Sequence, residues 1–88
     1  MTGLCDVRIS ARAERDLMRL PEKIGAACLS FIFGRLAENP HRWGGELRGR
    51  LAGLRSARRG VYRIVYRVDD DQHRIDIVHI DHRGDVYH

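Results

Sequence analysis

The sequence has few of the residues that usually reveal a function at sight. Its 88 residues include two cysteines, two prolines, one tryptophan and a single lysine, Lys23. Cys5 and Cys28 fit neither a disulfide-rich scaffold nor a closely spaced metal motif. We therefore expect both to be buried free thiols. No part of the sequence calls for a metal ion or another cofactor, and we expect none.

Long apolar runs are also missing. The longest, residues 26–33, is interrupted by Ser30 and is too short to cross a bilayer. The N-terminal segment lacks the basic region followed by an apolar stretch that marks a secretion signal. We therefore expect a cytoplasmic protein with no membrane partner, and two unpaired cysteines agree with a reducing compartment. A chain of this length is expected to form one domain, residues 1–88.

Positive charge is concentrated in one part of the chain. The net charge is +4, but residues 42–67 hold eight arginines and only one acidic residue, Glu46. Residues 68–88 hold six aspartates and two arginines. A strongly basic segment suggests an anionic partner, most commonly nucleic acid. Because arginine replaces lysine almost everywhere in this chain, the positions of the arginines matter more than their number.

The N-terminal half predicts a strand and two helices. Residues 5–9 alternate apolar and polar side chains, as a half-buried strand does. Ser10 can cap a helix over residues 11–20. Pro21 suits the first turn of a second helix, which ends at residues 38–40. The spacing of the apolar residues gives this helix pair one apolar side, which should face a sheet.

The C-terminal half predicts three strands joined by turns. The glycine-rich residues 41–53 are expected to form a loop, and they match no phosphate-binding glycine pattern. Strands are predicted over residues 54–58, 61–68 and 74–81. The fold class is therefore α+β, in the order β-α-α-β-β-β. Its antiparallel sheet should carry the two helices on one face.

The strand over residues 61–68 has two different faces. Its even-numbered positions are apolar, so Tyr62 and Tyr66 are expected to fill the core under the helices. Its odd-numbered positions place Arg63 and Arg67 between valines. Arg58, on the neighbouring strand, is expected to lie near the same patch. The sequence thus predicts a shallow, positively charged surface on the side of the sheet away from the helices.

Three segments resemble the RelE/ParE superfamily of bacterial type II toxin–antitoxin systems. They read LRGRLAGL at residues 47–54, RRGVYRIVY at residues 58–66 and HRGDVY at residues 82–87. The opening strand and the segment SARAERDLMRLPEKI resemble the start of the same fold, so the resemblance spans nearly the whole chain. It implies a toxin that is inactivated by a cognate antitoxin protein.

The resemblance also implies a site and a reaction. RelE-like members cleave mRNA in the ribosome by attack of a 2′-hydroxyl, without a metal. Arginine suits this chemistry because it is always charged and binds phosphate oxygens in pairs. Because arginine is a poor proton donor, a histidine that titrates near neutral pH is the candidate for proton transfer. The predicted catalytic residues are Arg58, Arg63, His82, Arg83 and Tyr87, and the predicted RNA-binding residues are Arg48, Arg50, Arg55, Arg59 and Arg67.

One departure from the family pattern leaves two alternatives open. Well-known ribosome-dependent members have lysines on the strand before the YR motif, whereas this chain has Leu54 and Ser56 there. The chain could therefore be a ParE-like inhibitor of DNA gyrase with no nuclease activity. It could also be a non-catalytic module that binds RNA or the ribosome. The fold alone does not separate these functions.

Overall fold

The fold is seen in a computed structural model that describes residues 3–82. A π-helical turn (Ile32–Leu36) extends the second helix, and a 3-10 turn (Gly49–Leu51) precedes the third strand. The predicted α+β class is confirmed. The elements are, in chain order, strand β1 (Asp6–Ile9), helix α1 (Ala11–Arg19), helix α2 (Glu22–Phe31), helix α3 (Pro40–Trp43) and strands β2 (Gly45–Glu46), β3 (Arg55–Arg59), β4 (Tyr62–Asp69) and β5 (Arg74–His82).

The helix boundaries follow the predicted signals. The Ser10 hydroxyl caps α1 by accepting a hydrogen bond from the backbone N–H of Ala13 at 3.0 Å, a contact that contributes about 1 kcal/mol in typical helices. Pro21 immediately precedes α2. Within residues 3–82, no helix is long and apolar enough to cross a membrane.

The sheet has five strands in the order β1-β5-β4-β3-β2. The prediction of a wholly antiparallel sheet is wrong at one edge, because β1 pairs with β5 in parallel. Side-chain alternation shows which residues face the core, but it carries no information about strand direction. The prediction of a plain loop over residues 41–53 is also wrong, since this segment contains β2, the 3-10 turn and most of α3.

Glycine allows β2 to approach β3. A Cβ atom on Gly44 would lie 2.6 Å from the backbone oxygen of Ser56, which no side chain tolerates. The next residue, Gly45, then pairs with Ser56. The glycine-rich composition of this segment therefore serves close packing at the edge of the sheet.

The core lies between the helices and one face of the sheet. Tyr66 is fully buried and its hydroxyl donates a 2.6 Å hydrogen bond to the carbonyl oxygen of Pro40. Tyr62 is 7% exposed, so the prediction that both tyrosines belong to the core is confirmed. Cys28 is a buried free thiol, as predicted, and burial raises its pKa to about 11. Cys5 is only half-buried.

A β-bulge in β5 decides which side chains leave the core. Val65 pairs with His79 and Tyr66 pairs with Ile77, so Val78 is an extra residue in β5. Helix α1 satisfies backbone groups at this point. Ser10 Oγ donates to the carbonyl oxygen of Val78 at 2.9 Å. The Asp16 carboxylate of α1 accepts a hydrogen bond from the backbone N–H of Ile80. The bulge therefore sets the alternation of the last residues of β5.

Candidate nucleic-acid interface

The side of the sheet that faces away from α1 and α2, here called the open face, carries Arg58, Arg63 and Arg67, and the strand register also places Arg8 and Arg74 on it. Arg58 of β3 is the direct pairing partner of Arg63 of β4. Arg67 lies four residues further along β4, on the same face. Directly paired side chains have Cβ atoms about 5 Å apart. Within residues 3–82, neither Arg58 nor Arg67 has a carboxylate within 4.0 Å. Their charges are therefore available to an anion.

Arg63 has one carboxylate partner. Its Nη2 donates to Asp81 Oδ2 at 2.7 Å, and the two side chains are 35% and 32% exposed. Partial burial acts to raise the pKa of Asp81, but the hydrogen bond from Arg63 and the charge and hydrogen bond of His79 outweigh it. The pKa of Asp81 therefore lies below its ordinary value, and this carboxylate stays ionised at neutral pH.

His79 connects this pair to helix α1. Its Nε2 contacts the second carboxylate oxygen of Asp81, and its Nδ1 lies 2.8 Å from Asp16 Oδ2. Asp16 also accepts the backbone N–H of Ile80 at 3.0 Å. The β-bulge makes this arrangement possible, because it places His79 and Asp81 in the row of Arg63 rather than in the core.

The segment of residues 47–54 packs over one end of the open face. The N–H of Leu47 donates to the carbonyl oxygen of Leu54 at 2.9 Å and closes the segment into a loop. Gly53, with φ of 93°, supplies the left-handed backbone that this loop needs. The loop carries Arg48 and Arg50, both exposed, close to the open face. A cavity of about 270 Å³ lies beneath it, lined in part by Leu47, Leu51, Leu54, Ser56, Arg63 and Val65.

Two of the predicted RNA-binding arginines do not lie on the open face. Arg55 pairs with the core residue Tyr66, and its Nη2 donates to the carbonyl oxygens of His41 and Gly44. Arg59 lies over the aromatic rings described below, on the same covered side. Adjacent positions in a strand alternate between faces, so β3 cannot present all of its arginines to one ligand. The structure does not bring Arg55 or Arg59 together with Arg63.

Arg59 is held by an aromatic pair. Its guanidinium carbon lies 4.8 Å from the ring centroid of Phe31 and 5.2 Å from that of Trp43. The two rings meet edge to face at 5.5 Å. Such cation–π contacts contribute about 0.5–2 kcal/mol each, depending on burial. Arg59 thus helps to pack α2 and α3 against the sheet.

The other predicted catalytic residues lie at or beyond the end of β5. His82 pairs with Tyr62, so it lies on the face of the sheet that the helices cover, here called the covered face, and not on the face of Arg63. Arg83 and Tyr87 lie outside the described residues. The catalytic roles of these three residues stay predictions.

Three residues of the site were not selected from the sequence: Asp16, His79 and Asp81. The sequence predicts a regular strand over residues 74–81, in which the contacts of His79 and Asp81 are not evident. A signal was present, because the consecutive apolar residues Ile77 and Val78 interrupt the alternation of β5. The role of Asp16 has no such signal, since it depends on how α1 docks on a strand 63 residues away.

Comparison with known proteins identifies the family. Residues 7–87 match the family model of the ParE toxin of the type II toxin–antitoxin system parDE. The chain belongs to this family. Toxin RelE of Mycobacterium tuberculosis is 59% identical over 81 residues, which are 92% of this chain and 84% of that protein. Toxin RelG of the same organism is 49% identical over 92% of this chain and 93% of that protein.

Solved structures of related toxins have the same fold. A chain of the RelBE2 toxin–antitoxin complex of Mycobacterium tuberculosis matches with a TM-score of 0.91 and 45% identity, over 96% of this chain and 97% of that one. The RelE–RelB complex of Pyrococcus horikoshii matches with a TM-score of 0.73 and 27% identity, over 93% and 98%. The resemblance to the RelE/ParE superfamily is confirmed. This chain is a RelE-type toxin of a toxin–antitoxin system.

Proposed function

We propose that this toxin is a ribosome-dependent endoribonuclease, a single cytoplasmic domain that cleaves mRNA without a metal ion. The observation that supports the proposal best is the pairing of Arg58 with Arg63 on the open face. Strand residues are held more rigidly than loop residues, and preorganised charge is usually the largest contribution to catalysis at a phosphate. Directly paired strand residues have Cβ atoms about 5 Å apart, so these two long side chains can both reach one phosphate or two successive ones.

The reaction begins at the ribose next to the scissile phosphate. The 2′-oxygen loses its proton to a base and attacks phosphorus, and the bond from phosphorus to the 5′-oxygen breaks. The products are a 2′,3′-cyclic phosphate and a 5′-hydroxyl, which takes a proton from an acid. Negative charge on the phosphorane oxygens rises along this path, so fixed guanidiniums stabilise the transition state more than the ground state.

The proposal assigns each residue one task. Arg63 and Arg58 bind the non-bridging oxygens of the scissile phosphate. Arg83 stabilises the leaving 5′-oxygen, and Tyr87 stacks on an unpaired base. His82 is assigned proton transfer for its imidazole, which titrates near neutral pH. Among the described residues, it is the one assigned residue that the strand register places on the face opposite Arg63. Arg48, Arg50 and Arg67 bind flanking phosphates.

We propose that a cognate antitoxin blocks the same surface. The M. tuberculosis and P. horikoshii structures that this fold matches are toxin–antitoxin complexes, and the second is described as a complex of RelE with RelB. An antitoxin segment rich in Asp and Glu would complement Arg58 and Arg67, which lack carboxylate partners within residues 3–82. Such a segment would compete directly with mRNA for the open face.

A second candidate is inhibition of DNA gyrase without nuclease chemistry. The matching family model is described as ParE toxin, and Leu54 and Ser56 replace the lysines expected of a ribosome-dependent member. In this case the open face would contact a protein or a DNA phosphate backbone. The nuclease proposal has stronger support, because the two curated relatives reported above are RelE-type toxins by name.

The test is translation in a purified system with added ribosomes, followed by primer extension to map mRNA cuts. The proposal expects cuts in phase with codons that are lost in Arg63→Ala and retained in Arg35→Ala, a matched control that is exposed on the π-helical turn after α2. Cuts that persist in Arg63→Ala would remove the assigned site. A supercoiling assay with purified gyrase, run on the same preparations, would instead favour the second candidate if it showed inhibition without RNA cuts.

A further inference from the structure

A series of charged side chains, each in contact with the next, ends at Arg63. The reaction proposed above assigns no role to the others. The series begins at Asp16, whose Oδ2 lies 2.8 Å from His79 Nδ1. His79 Nε2 contacts one oxygen of Asp81, and the other oxygen accepts from Arg63 Nη2 at 2.7 Å. The contacts therefore run without a gap from helix α1, through β5, to the start of β4.

His79 lies between two carboxylates. Both of its ring nitrogens face carboxylate oxygens. A neutral imidazole has one N–H and one lone pair, so it could donate to only one of these carboxylates. The doubly protonated ring donates to both. In that form the four groups carry two positive and two negative charges, and Asp81 is shared between His79 and Arg63.

Sharing Asp81 has two effects on Arg63. The guanidinium is fixed in direction by one short hydrogen bond, while its charge is only partly compensated. Within residues 3–82, Nη2 is its one hydrogen-bonded atom, and Nε is buried without a partner. Since a third of the side chain is exposed, the other amino group can still meet a phosphate oxygen.

Asp16 anchors the series to the backbone. Its side chain is 13% exposed, and the oxygen that contacts His79 also accepts the N–H of Ile80 at 3.0 Å. The charged groups around this point are mostly basic. Arg12, Arg15 and Arg19 of α1 and His82 of β5 line the same depression of about 530 Å³ as His79.

We propose that Asp16, His79 and Asp81 are positioning residues that set the direction and the effective charge of Arg63. Their expected effect on RNA rests on the proposed function, whereas their effect on one another does not. Without the Asp81 charge, Arg63 binds anions more tightly but is no longer held in place. Without the His79 charge, Asp81 compensates the charge of Arg63 alone, so Arg63 binds anions less tightly.

The structure offers matched controls. Asp69 pairs with Arg74 at 3.5 Å and is 32% exposed, as Asp81 is, but no histidine among the described residues contacts it. His41 pairs with Asp70 at 2.9 Å, far from this series of contacts. Asp69→Asn and His41→Gln therefore make the same chemical changes as Asp81→Asn and His79→Gln without touching Arg63.

The first measurement is binding of a 2′-O-methylated single-stranded RNA, which cannot be cleaved, by fluorescence anisotropy on variants whose folding is confirmed by thermal unfolding. Asp81→Asn should lower Kd about 3–10-fold and His79→Gln should raise it about 3–10-fold, which corresponds to about 0.6–1.4 kcal/mol. In cleavage assays both variants should lower kcat. Asp81→Glu, which keeps the carboxylate, should restore the wild-type Kd.

Two results would overturn the proposal. One is a shift of Kd in the same direction in Asp81→Asn and His79→Gln, or no larger shift than in the controls. The other is an Asp81 carboxyl that titrates by NMR at the same pH with and without His79, since loss of that charge should raise the Asp81 pKa. If RNA does not bind but the Asp81 pKa rises in His79→Gln, the proposed function fails and the positioning role stands.

Discussion

Arg58 and Arg59 are neighbours in sequence, yet the two faces of β3 use them in opposite ways. Arg59 lies over the rings of Phe31 and Trp43 on the covered face. Arg58 is exposed on the open face, directly opposite Arg63. One guanidinium packs the fold and the other is available to an anion. The comparison teaches that the charge of the basic segment overstates its binding surface, because position in the pleat decides what each arginine contacts.

The largest effect should come from the open face. Arg63→Ala is expected to reduce RNA cleavage about 10²–10³-fold, the usual cost of removing one fixed donor from a developing oxyanion. The free energy of unfolding should change little, since Arg63 is partly exposed and lies outside the core. Single-turnover cleavage and urea unfolding of the same preparation measure the two quantities. A large loss of stability would show that Arg63 belongs to the fold, as Arg59 does.

Salt should weaken binding through the open face alone. If about four phosphates are contacted, log K should fall with a slope near −3 against log salt concentration, or about fifty-fold between 50 and 200 mM. Arg63→Ala should lower that slope by about 0.7, whereas Arg55→Ala should leave it unchanged in folded protein. Anisotropy titrations at four salt concentrations give these slopes. An equal change in both variants would mean that both faces bind phosphate.

On the covered face, a single hydroxyl should matter for stability but not for RNA. Tyr66→Phe leaves the buried carbonyl oxygen of Pro40 without its 2.6 Å partner, and the expected cost is about 1–3 kcal/mol. RNA affinity of the folded variant should stay within twofold. Urea unfolding and anisotropy measure the two effects. Weaker RNA binding in the folded variant would contradict the separation of the two faces.

The smallest expected effect is the loss of folding stability when Asp81 is protonated at low pH. The pKa of Asp81 is lowered in the folded chain, so its contribution to stability is complete above the ordinary value of 3.8 and is lost as pH falls through the folded value. Partly exposed ion pairs contribute about 0.2–1 kcal/mol, so the loss should be of that size. Stability measured between pH 5 and pH 2 should fall less steeply in Asp81→Asn. Parallel curves would show that the pair with Arg63 adds no stability.

Much of the fold could be predicted from alternation and capping. Ser10, the helix pair and the apolar row of β4 all follow local rules, and the structure agrees with them. The parallel pairing of β1 with β5 could not be predicted, since direction depends on how distant segments meet. The small elements in residues 41–53 were missed because glycine there reads as a turn signal, whereas Gly44 permits close packing.

The candidate site was predictable only in part. Arg58 and Arg63 were expected on one patch, and their pairing follows from a two-residue hairpin turn. The opposite placement of Arg59 was implied by its position next to Arg58, but the charge of the whole segment obscured it. Asp16 and His79 come together through tertiary docking across 63 residues, which no local pattern reveals.

The most direct test of the account compares Arg58→Ala with Arg59→Ala, using RNA affinity and urea unfolding on the same samples. Arg58→Ala should raise Kd about 5–10-fold and leave stability within about 0.5 kcal/mol of wild type. Arg59→Ala should lower stability by about 1 kcal/mol, as expected for a lost cation–π contact, and leave Kd within about twofold. If Arg59→Ala weakens RNA binding as much as Arg58→Ala does, the division of work between the two faces is wrong.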